Sequence, residues 1–375
     1  MKTIIKVLLI TLAVSVLSQC KKEPVVSIRD DNFLNALIKL GVDNNGDRII
    51  STDEASLVHF LDINLCNISD LKGIEAFVNL DTLMCYGNSL KFLDLSQNYE
   101  LVYLQCVGNS LTSLDVSNNR KLKYLDCGMN SLTSIDVSGN PKLTHLDCWH
   151  NSLTSLDVSN NPAMEILVSG WNPLTSVDVS NNPVLYHFAC NGNQLTSLDV
   201  SNNPELYDLD CDMNSLTSLD VSNNPELEYL ECSWNSLTSL DVSNNPELHE
   251  LRCEDNSLTS LDLSNNLALG GLDFQLNFLT NVDVSNNPSL YFLFCDGNLL
   301  TSLDVSNNLS LKELRCDMNL LTRLDVSNNT LLKDLTLASI PSLIKVCVWT
   351  MPFPPTGVTI DTTDSPNVYF SMECN

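Results

Sequence analysis

Residues 227–247 read Leu227-Glu-Tyr-Leu230-Glu-Cys232-Ser-Trp-Asn235-Ser-Leu237-Thr-Ser-Leu240-Asp241-Val242-Ser243-Asn244-Asn245-Pro246-Glu247, and the pattern returns every 21 residues. Twelve such units fill residues 80–331 without insertion or deletion. A fixed period of this length marks a solenoid, in which each unit buries its core only against its neighbours. The 375 residues are therefore not two or three globular domains. Within one unit Leu230 and Cys232 bracket Glu231, and Leu240 and Val242 bracket Asp241. Alternation of this kind sends one set of side chains inward and the other outward on two short strands. Two strands and two bends consume the unit and leave no room for a helix. The expected fold is mainly β: a right-handed coil with parallel sheets on both faces, roughly 58 Å long for twelve coils stacked ~4.8 Å apart.

The pattern LxxLxCxxNxLTxLDVSxNPx, with two halves that both read L-x-x-L-x-(C/V)-x-x-N, resembles the short bacterial leucine-rich repeats. Residues 68–80, Ile-Ser-Asp-Leu-Lys-Gly-Ile-Glu-Ala-Phe-Val-Asn-Leu, look like an internalin-type repeat, so 61–79 are read as the first repeat. Beyond residue 331 the pattern fades, and Pro352-Phe353-Pro354-Pro355 breaks it, because proline cannot donate to a strand ladder. Residues 332–375 are read as a cap over the open sheet edge. The resemblance implies a cell-surface recognition or adhesion protein whose ligand is a protein. A glycan-capturing lipoprotein and a spacer without a ligand are the alternatives.

Before the repeats, Phe33, Leu34, Leu37, Ile38 and Leu40 have amphipathic helical spacing. A loop, residues 43–54, and a second helical stretch through Phe60 complete an expected helical cap over 30–60. The loop resembles an EF-hand. That resemblance implies calcium ligands at Asp43, Asn45, Asp47, Ile49 (through its carbonyl), Ser51 and Glu54. Arg48 stands where the family has glycine, at a position that needs a left-handed backbone.

The first 19 residues carry Lys2 and Lys6 ahead of an apolar run from Val7 to Leu17, the layout of a secretory signal and too short for a membrane span. Leu17-Ser18-Gln19-Cys20 resembles a lipobox, which implies lipidation of Cys20, a linker over 20–29 and a membrane contact made only through the lipid. Lys21-Lys22-Glu23 looks like the tag that sends such lipoproteins to the outer face of the outer membrane.

The net charge is −27, and −29 once Lys2 and Lys6 are removed. Such a surface repels nucleic acid and anionic membranes, and suits cations, basic partners or neutral glycans. Ten cysteines (85, 106, 127, 148, 190, 211, 232, 253, 295 and 316) share one inward column that also admits Ser169 and Phe274. They read as buried small hydrophobes. In-register neighbours ~4.8 Å apart also fit a disulfide poorly. Cys347 and Cys374, beyond the repeats, are candidates for a disulfide. Twelve aspartates, from Asp94 to Asp325, form an outward ladder that calls for local hydrogen bonds.

What varies between repeats is free to shape a ligand face. That face carries Tyr103, Tyr124 and His145 in one column, with Trp149, His150 and Trp171 beside it, and Tyr229, Trp234, Phe292 and Phe294 farther along. Exposed aromatics on a rigid sheet anchor proteins and stack on sugars. No metalloprotease helix, nucleophile elbow or phosphate-binding glycine loop is present, and the reading is not an enzyme.

Overall fold

The computed structural model describes residues 24–374. The expected signal segment 1–19, the lipidated Cys20 and the tag 21–23 lie outside the described residues. Fifteen short parallel strands form one sheet in chain order, from Phe60–Asp62 through Thr82–Met84 and Tyr103–Gln105 to Glu313–Arg315, Asp334–Thr336 and Thr359–Asp361. Thr82 pairs with Tyr103, and steps of 21 residues continue until Glu313 pairs with Asp334. From Leu83 to Leu335 each central strand residue, such as Leu104 or Leu230, is fully buried, as is the residue two positions on, a cysteine in ten of these coils. Burying one such leucine contributes about 1.5–3 kcal/mol. Stacked coils repeat that gain along a single continuous core.

The second face is extended but sparsely paired. Single bridges join Asp115 to Asp136, Asp157 to Asp178 and Asp304 to Asp325. Among the described residues a three-stranded parallel ladder forms on this face only at the C-terminal end, from Arg323–Asp325, Lys345–Cys347 and Tyr369–Ser371. The aspartates of this face, bridged or not, bond within their own coil. Asp241 Oδ1 accepts the Ser243 N–H at 2.9 Å, and Asp115 does the same for Ser117 at 2.9 Å.

Asparagines close both bends through their side chains. Asn235 Nδ2 donates to the carbonyls of Cys211 at 3.1 Å and Cys232 at 3.2 Å, while its Oδ1 accepts the Leu216 N–H at 2.9 Å. One side chain thus ties two coils together. In the Asn-Asn-Pro bend, Asn245 Nδ2 donates to the carbonyls of Val221 and Asn224. A left-handed backbone recurs in the column just before the first of these asparagines. Thirteen successive coils have φ between 48° and 65° there, from Gly87 to Ser339. Only Gly87, Gly108, Gly192 and Gly297 are glycine, and any other residue costs about 1–2 kcal/mol.

At the N-terminus, helix Asp31–Lys39 is capped by Asp30 and buries Phe33, Ala36 and Leu37, with Phe33 against Phe77. The second helix covers only Thr52–Ser56. The expected continuation through Phe60 does not occur. Phe60 and Asp62 are exposed and Leu61 is buried, a two-residue alternation that opens the first strand.

Candidate ligand-binding face

The long sheet turns its variable outward positions to solvent. Tyr103 and Tyr124 stack with ring centroids 4.1 Å apart and planes 8° from parallel, and Tyr124 stacks on His145 at 4.2 Å. The rings are half-buried, because each covers its neighbour's face. Burial and the charge of His187 hold the His145 imidazole below its ordinary value. Trp149 leans on His150 at 5.2 Å. Trp171 is exposed and lies over Gly192, where an added Cβ would come within 2.9 Å of the indole.

Tyr229 and Trp234 form a second group, about four coils and ~19 Å farther along. Tyr229 meets Tyr207 edge-on at 5.4 Å, and Trp234 Nε1 donates to Glu254 Oε1 at 2.6 Å. Phe292 differs from its expected role. Its ring folds over Gly271, under the Arg252 guanidinium at 5.7 Å, and is buried. The missing side chain at Gly271 opens that slot, so Phe292 fills a gap in the sheet surface and offers no anchor.

Between and around the aromatic groups the face is crowded with carboxylates. Asp210, Asp212 and Glu231 each bring an oxygen within 4.8 Å of the others. Burial, then the charge of Asp210, pushes Asp212 up to about 7, and burial pushes Asp147, Asp210 and Asp273 up to about 6. Sequence reasoning passed over this cluster and credited the acidic character to the opposite ladder. Its signal was available, since Asp210, Asp212 and Glu231 occupy outward positions of adjacent coils.

No family model matches the chain, and neither does any curated protein. Solved structures do match. The functional domain of InlJ from Listeria monocytogenes, which includes a cysteine ladder, is 36% identical, with 85% of this chain and 74% of that one covered and a TM-score of 0.74. An internalin, InlF, from the same organism is 18% identical, with 95% of this chain and 100% of that one covered at a TM-score of 0.69. A leucine-rich repeat protein of Leptospira interrogans is 20% identical, with 86% and 98% covered at 0.67. This chain belongs to the internalin-like leucine-rich repeat proteins.

The internalin-like core carries its own column of ten cysteines, every one buried and free. Burial raises the Cys85 thiol to about 12, and the sulfurs of Cys211 and Cys295 lie 3.4 Å and 3.0 Å from carbonyls of the next coil. Thiols held neutral in this way pack as small apolar groups. Cys347 and Cys374 are also free thiols, with sulfurs within 4.8 Å of each other and of an Asp325 oxygen.

In the loop after the first helix, Asp43 accepts the N–H groups of Gly46 at 2.7 Å and Arg48 at 2.9 Å. Asn45 accepts from Asp47, and Asp47 from Ile49, both at 2.8 Å. Arg48 adopts φ 62°, the left-handed value the position requires, and its guanidinium reaches Asn35 Oδ1 at 3.2 Å. Glu54 accepts from the Ser51 N–H, the Ser51 hydroxyl and the Asn44 N–H. Burial pushes the Glu54 carboxyl up, and these hydrogen bonds outweigh it and hold the group below its ordinary value. The Asp43 oxygens and Glu54 Oε1 each accept one of these bonds and keep a further lone pair, while Ser51 takes both on Glu54 Oε2; the hard oxygens of the set fit calcium once the Ser51 hydroxyl turns away.

Proposed function

We propose that this chain is a recognition protein that displays a rigid sheet at the cell surface and binds a protein ligand through its N-terminal aromatic group. The stacked Tyr103–Tyr124–His145 row, with Trp149, His150 and Trp171 beside it, supports this reading, since the core needs none of these rings. Lipidation at Cys20 would tether the solenoid to the outer membrane. Panels of surface proteins and of glycans, probed with the full chain and a Trp149→Ala/Trp171→Ala variant, test the reading. A protein ligand lost in the variant is expected. Competition by soluble sugars would assign the face to a glycan instead, and a ligand unaffected by the variant would remove the site from these rings.

The second reading is calcium binding by the loop of Asp43, Asn45, Asp47, Ile49, Ser51 and Glu54, supported by the left-handed Arg48 and the inward-turned side chains. Calcium should raise the melting temperature of the full chain, and an Asp43→Ala/Asp47→Ala variant should show no such rise. An equal rise in both would sink the assignment.

A further inference from the structure

The left-handed column forms one long edge of the sheet, and at its C-terminal end it widens into an exposed apolar patch. Leu276 and Met318 occupy the column with φ 51° and 52°, where Gly87, Gly108, Gly192 and Gly297 serve other coils. Two residues further on, Phe278, Leu299 and Leu320 stand in three consecutive coils at a position that is serine in seven others. All five side chains are 41–54% exposed. The backbone does not ask for them. Phe278, Leu299 and Leu320 donate their N–H groups to Leu258, Leu279 and Leu300 just as Ser236 donates to Leu216. Leu276 does lean over Gly297, where an added Cβ would lie 2.6 Å from its side chain. That contact leaves nearly half of Leu276 in water. Bulky residues in a strained conformation, and apolar residues in place of serine, are opposed by folding on both counts.

The charges beside the patch define what it takes. Asp255 sits in the column and Asp317 immediately precedes Met318, while Asp296, before Gly297, is buried and Arg315, two positions before Asp317, lies over the Phe294 ring. No Lys or Arg occupies the left-handed column or the outward column before it, from Tyr86 to Ser339. A second copy of this chain would bring like charges together, and an anionic lipid surface would be repelled. We infer that this edge, built from Leu276, Phe278, Leu299, Met318 and Leu320, docks a protein segment whose apolar side chains are flanked by Lys or Arg. It is separate from the aromatic group at the N-terminal coils, and it stands whether or not that group binds a ligand.

The probe is a fluorescent amphipathic helix of Leu and Lys, with a counterpart in which Glu replaces Lys. The variant Leu276→Gly/Phe278→Ser/Leu299→Ser/Met318→Gly/Leu320→Ser installs only residues that other coils already use. In the full chain the Lys peptide should bind and the Glu peptide should not. The five-fold variant should weaken binding at least tenfold while its melting temperature does not fall. A charge-matched control on the opposite face, Asp199→Asn/Asp220→Asn/Asp241→Asn, should bind as the parent does. Unchanged affinity in the five-fold variant, an equal loss in the control, or equal binding of the Glu peptide would each overturn the proposal. So would a fall in melting temperature, which would make the patch a packing feature, or a parent dimer that the variant abolishes.

Discussion

Asn235 shows how much of the solenoid depends on single polar side chains. Removing its amide strands two carbonyls and the Leu216 N–H inside the bend. A buried polar group left without a partner costs about 1–3 kcal/mol. Asn235→Ala should therefore destabilise the chain by roughly 2–3 kcal/mol in urea denaturation. A loss within error would mean that water enters the bend and takes over. The asparagine columns were legible in the sequence, because only a structural need repeats one residue so strictly. The reason for the second column was not. Left-handed backbone falls not on these asparagines but on Met129, Trp171 and their equivalents, at positions where composition is mixed. A backbone angle imposed by the path of the coil leaves no mark when the residue type tolerates strain.

At the scale of the sheet, its two faces answer pH in opposite directions. On the long sheet, burial raises Asp147, Asp210 and Asp273 to about 6 and Asp212 and Asp296 to about 7. A carboxyl raised in the folded state binds more protons folded than unfolded. Its contribution to stability is full below the ordinary value and is lost as pH rises through the folded one. The ladder on the other face runs the other way. Hydrogen bonds from Ser117 and Ser159 hold Asp115 and Asp157 below the ordinary range, and that stability is lost as pH falls through it. The melting temperature should accordingly be higher at pH 5 than at pH 7.5. Asp212→Asn should raise it at pH 7.5 and reduce the difference. A melting temperature that climbs with pH over that window would contradict this account. The sequence announced the ladder, since a constant column is visible in every repeat. It did not announce the crowding opposite, because burial of an outward carboxylate depends on which bulky neighbours the adjacent coils supply.

For the whole molecule, each coil is stabilised only by the coils beside it, so the ends decide solubility. Strand Glu313–Arg315 is covered by Asp334–Thr336, which Thr359–Asp361 covers in turn. Ending the chain at residue 331 exposes a flat parallel edge. The truncated protein should aggregate in light-scattering measurements under conditions where the full chain stays dispersed. A dispersed, stable truncation would show that the last coil protects itself.

The sequence by itself determined the solenoid, its period, its buried columns and the family resemblance. Each follows from a regular spacing of apolar side chains that no other arrangement can bury. Tertiary structure alone decided what happens between coils: that Tyr103, Tyr124 and His145 stack while Phe292 is swallowed by the gap at Gly271, and that the second helix stops at Ser56. It also decided that Phe278, Leu299 and Leu320 stand exposed beside Leu276 and Met318 along one edge. These facts depend on the neighbour ~4.8 Å away in the stack and 21 residues away in the chain. A one-dimensional pattern records what each coil needs, and only the stacked molecule shows what adjacent coils do to each other.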